Sequence, residues 1–182
     1  MATRKSHWAL SRNAENSSVP LEIIQAPQAF SQWAGLLELL HAAFAYQNAR
    51  IDPPSSLYQL DAQSLAQKSH EENLFLALAN GELFGCAFAK VKPSCVYVGK
   101  FAVWPANQGQ GIGRRLMQDV ESFAQKTGKP VMELDTRIEL LENHQTFAAF
   151  GFVKTAEHSH AGYTRTTFIT MQKALVPLLA GA

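Results

Sequence analysis

Phe101-Ala102-Val103-Trp104-Pro105-Ala106-Asn107-Gln108-Gly109-Gln110-Gly111-Ile112-Gly113 is the stretch on which the reading of this chain turns. It begins as a strand, and Pro105 ends that strand because proline has no N–H to give to a ladder. Three glycines then open a helix predicted over residues 114–127, with Ile112, Leu116, Val120 and Phe123 on one face. A glycine-rich turn feeding a helix N-terminus is a ready anion site. The first helical N–H groups lack partners inside the helix, and the positive end of the dipole points outward. Without a Cβ at Gly109, Gly111 and Gly113, the backbone can lie close against a phosphate.

The spacing narrows the choice of nucleotide. No Gly-Lys-Ser/Thr follows the glycines, so this is not a P-loop. Gly109-x-Gly111-x-Gly113 also differs from the dinucleotide fingerprint and falls late in the chain, after several strands. The match is to Gln/Arg-x-x-Gly-x-Gly, here Gln108-Gly109-Gln110-Gly111-Ile112-Gly113, preceded by Val103-x-Pro105. In these residues the chain resembles the pyrophosphate loop of the GNAT superfamily, the acyl-CoA-dependent N-acetyltransferases.

At 182 residues the chain suits one domain with a real core, and its 47% hydrophobic and 17% charged content is globular. With a net charge of +1 and no basic stripe, composition gives no case for a nucleic-acid partner. The apolar runs are far shorter than a membrane span, so a soluble, cytoplasmic protein is expected. The start, Met1 to Ser6, has no apolar h-region and is not a secretory signal, although its basic, Ser-containing character leaves an organellar transit peptide open. Cys86 and Cys95 lie in apolar, strand-like surroundings without metal spacing. They read as buried thiols, or as a cross-strand disulfide if the register matches.

In chain order, residues 1–19 read as a tail, 20–175 as one domain and 176–182 as an apolar C-terminal tail. A strand is predicted over 21–25. A helix opened by Pro27 runs to about Tyr46, with Phe30, Trp33, Leu37, Leu40 and Phe44 at helical spacing. Residues 48–56 form a loop around Pro53-Pro54, and 57–69 are weakly helical. Strands over 73–79 and 83–92 join through Asn80-Gly81, a strong hairpin signal, and a third covers 95–104. After the central helix come a strand over 131–136 and a helix over 142–150. Two final strands, 152–155 and 163–173, flank a loop over 156–162. This is an α/β fold with a mixed, mostly antiparallel central sheet of about 6–7 strands and about four helices. The order resembles the GNAT order over most of the chain, which implies a sheet splayed between strand 95–104 and strand 131–136.

The resemblance implies acetyl-CoA as cosubstrate, entering that splay. Phe101, Ala102 and Val103 would offer backbone hydrogen bonds to the pantetheine and thioester. The amides of Gln108, Gly109, Gln110, Gly111, Ile112 and Gly113 would hold the pyrophosphate, and main-chain donors would fix the reacting carbonyl. A second resemblance lies in Phe147-Ala-Ala-Phe-Gly151-Phe152, against a family pattern Asn-x-x-Ala-x-x-x-Tyr-x-x-x-Gly-Phe. Here Leu140 takes the Asn position, Asn143 the Ala position and Phe147 the Tyr position. Asn143 and Phe147 are therefore expected beside the cofactor. That Tyr is the family's usual general acid, and a phenyl ring has no proton to give. The thiol of CoA has a pKa near that of cysteine, about 8.5, so thiolate can leave unaided and loss of the acid slows transfer without forbidding it. His144 and Tyr163 are the candidates to replace it, each also readable as a packing or surface residue.

Glu133 and Asp135 share one face of strand 131–136. Asp135 stands where a family subgroup that acetylates ribosomal-protein N-termini has a glutamate, so it is the candidate base or substrate anchor. The alternative is a structural carboxylate paired with Arg137 or a backbone N–H. The acidic residue often found on the preceding strand is absent, with Gly99 and Lys100 in its place. His158-Ser159-His160 lacks a third ligand, so no metal is expected, and this loop reads as a lip of the acceptor pocket. Trp8 and the loop around Pro53-Pro54 are further candidate walls. The expected reaction is direct transfer of acetyl to a primary amine of a small molecule or peptide. The alternative is a non-catalytic acyl-CoA-binding sensor or subunit. Dimers are common in the family, which leaves a homodimer open.

Overall fold

A computed structural model describes residues 20–176. The tail expected over 1–19, with Trp8 in it, and most of the tail expected over 176–182 lie outside the described residues. Seven strands, β1 (Glu22–Gln25), β2 (Asn73–Ala79), β3 (Glu82–Val91), β4 (Val96–Val103), β5 (Val131–Arg137), β6 (Val153–His158) and β7 (Phe168–Ala174), form one mixed sheet in the order β1-β2-β3-β4-β5-β7-β6. Four helices accompany it: α1 (Trp33–Phe44), α2 (Ala62–Glu71), α3 (Ile112–Lys126) and α4 (Leu141–Ala149). None of the described helices is long and apolar enough to cross a membrane.

The meander β2-β3-β4 forms because Asn80 and Gly81 both adopt positive φ, 52° and 74°, the geometry a two-residue hairpin turn needs. Alternation along the strands then feeds two cores. Phe75, Ala87, Ala89, Val96 and Val98 face α3, whose Leu116, Met117, Val120 and Ala124 are buried against them. Leu74, Leu76, Cys86 and Phe88 face the other way, onto Leu36, Leu39 and Leu40 of α1 and Leu65 of α2. Crossover through α3 makes β4 and β5 parallel, while every other pair is antiparallel.

Two features of β4 shape the site. Its pairing with β5 stops after Val96↔Met132 and Tyr97↔Glu133, so the strands diverge beyond Tyr97. On its other edge, Cys86↔Ala102 and Phe88↔Gly99 set three steps of β4 against two of β3. The extra residue is a bulge, and Lys100 within it sits at φ 50°, an uncommon conformation for a side chain with a Cβ.

Several boundaries differ from the sequence reading. α1 starts at Trp33 because residues 27–30 close their own turn, Phe30 N–H to Pro27 O at 2.9 Å, and the Phe30 ring meets Trp33 edge-on at 4.7 Å. It ends at Phe44, and residues 45–47 continue as a 3₁₀ turn. The weak helix expected over 57–69 splits into a 3₁₀ turn, Ser56–Gln59, and α2. The split falls at Asp61, which caps α2: its Oδ1 accepts from Ser64 N at 2.7 Å, and Ser64 Oγ accepts from Asp61 N at 2.8 Å. The largest correction concerns the last hairpin. Residues 156–158, read as loop, pair with β7 as far as His158↔Phe168, while 163–167, read as strand, form the connection. β6 is an edge strand with almost no buried face, so hydrophobic alternation carried no signal for it. Thr167 anchors the turn, donating its N–H to His158 O at 2.9 Å and accepting His160 N–H on Oγ1 at 2.9 Å.

Candidate active site

A cleft of about 1250 Å³ runs from the glycine turn, between the diverging strands, to the loop over residues 48–56. At its head the chain makes the turn it needs with Gly109 at φ 76° and Gly111 at φ 81°. A Cβ built at either glycine would meet nothing within 4 Å, so neither approach is blocked by the protein. The side chains of Gln108 and Gln110 fold back onto the turn, donating to Val103 O at 3.1 Å and Ala106 O at 3.4 Å. The first backbone bond of α3 is Arg115 N–H to Gly111 O, at 3.1 Å. Among the described residues no acceptor takes up the N–H groups from Gly109 to Gly113. Gly113 serves a different purpose from the other two: its φ is ordinary, and an added Cβ would lie 3.3 Å from Phe101 Cζ. Its small size lets α3 pack on Phe101.

Phe101, Ala102 and Val103 form one wall of the cleft, and Asn143 and Phe147 of α4 part of the other. The Val103 carbonyl already accepts Gln108 Nε2, leaving one lone pair for another donor. Beneath them Phe101 meets Phe147 and Phe150 edge-on, at 6.1 and 6.0 Å, and Phe147 meets Phe152 at 6.2 Å. These rings hold α4 against β4 where no backbone pairing does so.

Asp135 projects from β5 beyond the last rung to β4. Its Oδ1 accepts Thr170 Oγ1 at 2.6 Å and its Oδ2 accepts the Tyr97 hydroxyl at 3.1 Å. Burial, then the Asp135 charge, push the Tyr97 phenol up, so it stays protonated and donates to the carboxylate. Arg137 is not the partner of Asp135. Its guanidinium donates to Pro53 O and to His160 Nε2, at 2.9 Å for the latter. Burial and the neighbouring Arg137 hold His160 below the ordinary histidine range, which suits a neutral ring that accepts from Arg137 and donates from Nδ1 to Thr167 Oγ1 at 2.6 Å.

Of the two residues expected to replace the missing acid, neither lines the cleft. His144 Nε2 donates to the carbonyl of Arg137 at 2.9 Å, which fixes its ring against its own helix entry. Tyr163 donates to Asp52 Oδ1 at 2.6 Å, and Arg165 Nη2 holds the other oxygen of Asp52 at 3.0 Å. Those bonds, with Arg50 paired to Glu142, staple the loop over 48–56 to α4 and to the turn before β7. Pro54 and His160 accordingly line the cleft.

A sequence model of the Acetyltransferase (GNAT) family matches residues 33–152. The chain belongs to that family. No curated protein matches it in sequence. Solved structures with the same fold include the ribosomal-protein-S18-alanine N-acetyltransferase of Escherichia coli, 17% identical, with a TM-score of 0.69 over 90% of this chain and 99% of that one. A putative acetyltransferase, YncA, of Salmonella typhimurium, solved with acetyl-CoA, is 21% identical, with a TM-score of 0.66 over 89% and 98%. The PaiA N-acetyltransferase of Thermoplasma acidophilum, in complex with coenzyme A, is 16% identical, with a TM-score of 0.68 over 85% and 99%.

In this GNAT domain three residues of the cleft escaped the sequence reading. Tyr46 donates to Asn143 Oδ1 at 2.9 Å, one turn of α4 before Phe147. Nothing in a helix C-terminus signals such a contact 97 positions away. Tyr97 lay in plain view on β4, but its partner is set by strand pairing. Lys100 is the lone charge in residues 95–104, which marks it in the sequence, but its place in a bulge depends on strand pairing. Neither cysteine lines the cleft. Both thiols are free and buried, and burial pushes both up, Cys86 most strongly. Among the described residues no group of three His, Cys, Asp or Glu could hold a metal ion.

Proposed function

We propose that this chain is an N-acetyltransferase that moves acetyl from acetyl-CoA to a primary amine by direct attack in a ternary complex. One observation carries the reading: the free N–H groups at the start of α3 open into the gap between β4 and β5, and that gap leads to Asp135. The amides from Gln108 to Gly113 would hold the diphosphate, and the backbone of Phe101 to Val103 would align the thioester. Proximity and these donors supply most of the rate. Asp135 takes a proton from the attacking ammonium, or anchors it, with Tyr97 and Thr170 fixing the carboxylate. The amine nitrogen forms its bond to the thioester carbon and gives up its second proton to water, the C–S bond breaks, and sulfur leaves as thiolate. Tyr46 is the phenol that can protonate it, since it lines the cleft beside Asn143 and Phe147. The buried, high-pKa thiols of Cys86 and Cys95 favour direct attack over an acyl-enzyme.

Phe147 favours a second reading, a non-catalytic acyl-CoA-binding sensor or subunit of the same fold. The deciding measurement is thiol release from acetyl-CoA with amino acids, polyamines, aminoglycosides and peptide N-termini. Release that depends on the amine supports the enzyme. Tight CoA binding with no release across the panel supports the binding module.

A further inference from the structure

Lys100 stands in the bulge of β4 and lines the cleft. Among the described residues nothing bonds or pairs with its ammonium group. Lys68, on α2, lines the cleft as well, but Glu72 holds its Nζ at 2.6 Å and the Phe88 ring lies beneath it at 5.6 Å. Burial, then the charge of Lys68, outweigh the attraction of Glu72 and hold Lys100 below the ordinary lysine range, so the ammonium sits where a cation is disfavoured. An arriving anion would relieve that repulsion. Arg137, at the end of β5, is already committed to Pro53 O and His160. Across the gap, on β5, Asp135 presents a carboxylate that accepts only from hydroxyls. β4 therefore offers the cation Lys100 and β5, across the gap, the carboxylate of Asp135, with Arg137 of β5 turned to Pro53 O and His160.

We infer that the acceptor is a small amine that also bears an anionic oxygen group, a carboxylate or a phosphate. Lys100 binds that group, and Asp135 takes the ammonium. Charge on each lip orients the acceptor, with the amine on the β5 side. This rests on the N-acetyltransferase reading above and narrows its substrate to zwitterions.

The test follows thiol release from acetyl-CoA with a panel of L-amino acids, each beside its amide, and with phosphoethanolamine beside ethanolamine. At least one anionic amine is expected to exceed its neutral partner about tenfold or more in kcat/KM, as a charge-assisted hydrogen bond allows. The first set reports a carboxylate and the second a phosphate. Lys100→Met is expected to bring the two partners to within about threefold, and Lys100→Arg to restore part of the gap, since the bond's charge is what is being removed and returned. Neutral amines that match or beat the anionic ones overturn the inference, as does a gap that survives Lys100→Met. Equal losses on acid and amide would make Lys100 a base or a packing group and overturn it too. If Lys100→Met does not fold, the comparison on the unaltered protein decides. No release with any amine overturns the N-acetyltransferase reading, and this inference with it.

Discussion

Tyr97 and Glu133 form the last rung between β4 and β5. One residue farther along each face, the strands no longer share hydrogen bonds, and Tyr97 instead reaches Asp135 through its side chain at 3.1 Å. A hydroxyl–carboxylate contact thus spans the start of a gap that the backbone leaves open.

Gly111→Asp is expected to lower CoA affinity by at least about 30-fold, since a negative charge at a helix N-terminus opposes a second anion there. Gly111→Asn is the control, because Asn tolerates the φ of 81° comparably but adds no charge. Calorimetry at two salt concentrations separates the terms: the excess loss in the Asp variant shrinks as salt rises. Unchanged affinity in Gly111→Asp would remove the diphosphate from this turn.

Asp135→Asn is expected to cut kcat/KM about 100-fold at neutral pH, the lower range of general-base effects. Activity should recover in part at higher pH, where more of the amine is already neutral. Asn keeps an oxygen for Thr170 Oγ1, so the thermal midpoint should move little. A flat pH profile in both proteins would leave Asp135 a structural carboxylate.

Tyr46→Phe is expected to lower kcat about tenfold or more, a small effect for an acid because thiolate is a competent leaving group. The loss should be larger for an acyl donor whose leaving thiol has a higher pKa. A variant with unaltered kcat on both donors would assign Tyr46 to holding Asn143 alone.

Gly85→Ala tests the wall behind the thioester. The added Cβ would sit 2.8 Å from Ala102 O and 3.3 Å from Val103 Cγ2, both on β4. Since the backbone of β4 must shift, about 2 kcal/mol of stability should be lost, about 4–8 °C in Tm for a domain of this size. CoA affinity should fall with it, because Ala102 and Val103 line the cleft. A Tm within about 1 °C of the parent would show that β4 yields at negligible cost.

The parts of the site that were readable in advance share one property: each is a demand of the local backbone on the residue that occupies it. Gly109 and Gly111 take positive φ, and Asn80-Gly81 does the same in the hairpin, so residue type and spacing announce those turns. Amphipathic spacing along α3 was legible for a similar reason, since Ile112, Leu116 and Val120 are all buried along one side of the helix. Asp135 could be placed on its strand face, but its partners could not be named, because Thr170 and Tyr97 come from two other strands.

Residue order alone was enough to establish the sheet-and-helix class, the glycine turn and the helix it opens, because these follow from φ preferences and periodicity within a few positions. Folding in three dimensions settled the rest. It put the bulge at Lys100, where pairing with β3 slips by one residue, and brought Tyr46 to Asn143. It also stapled the loop over 48–56 to α4 and left His144 and Tyr163 off the cleft. Contacts between residues this far apart in the chain depend on register and packing, and neither leaves a periodic trace in a single sequence.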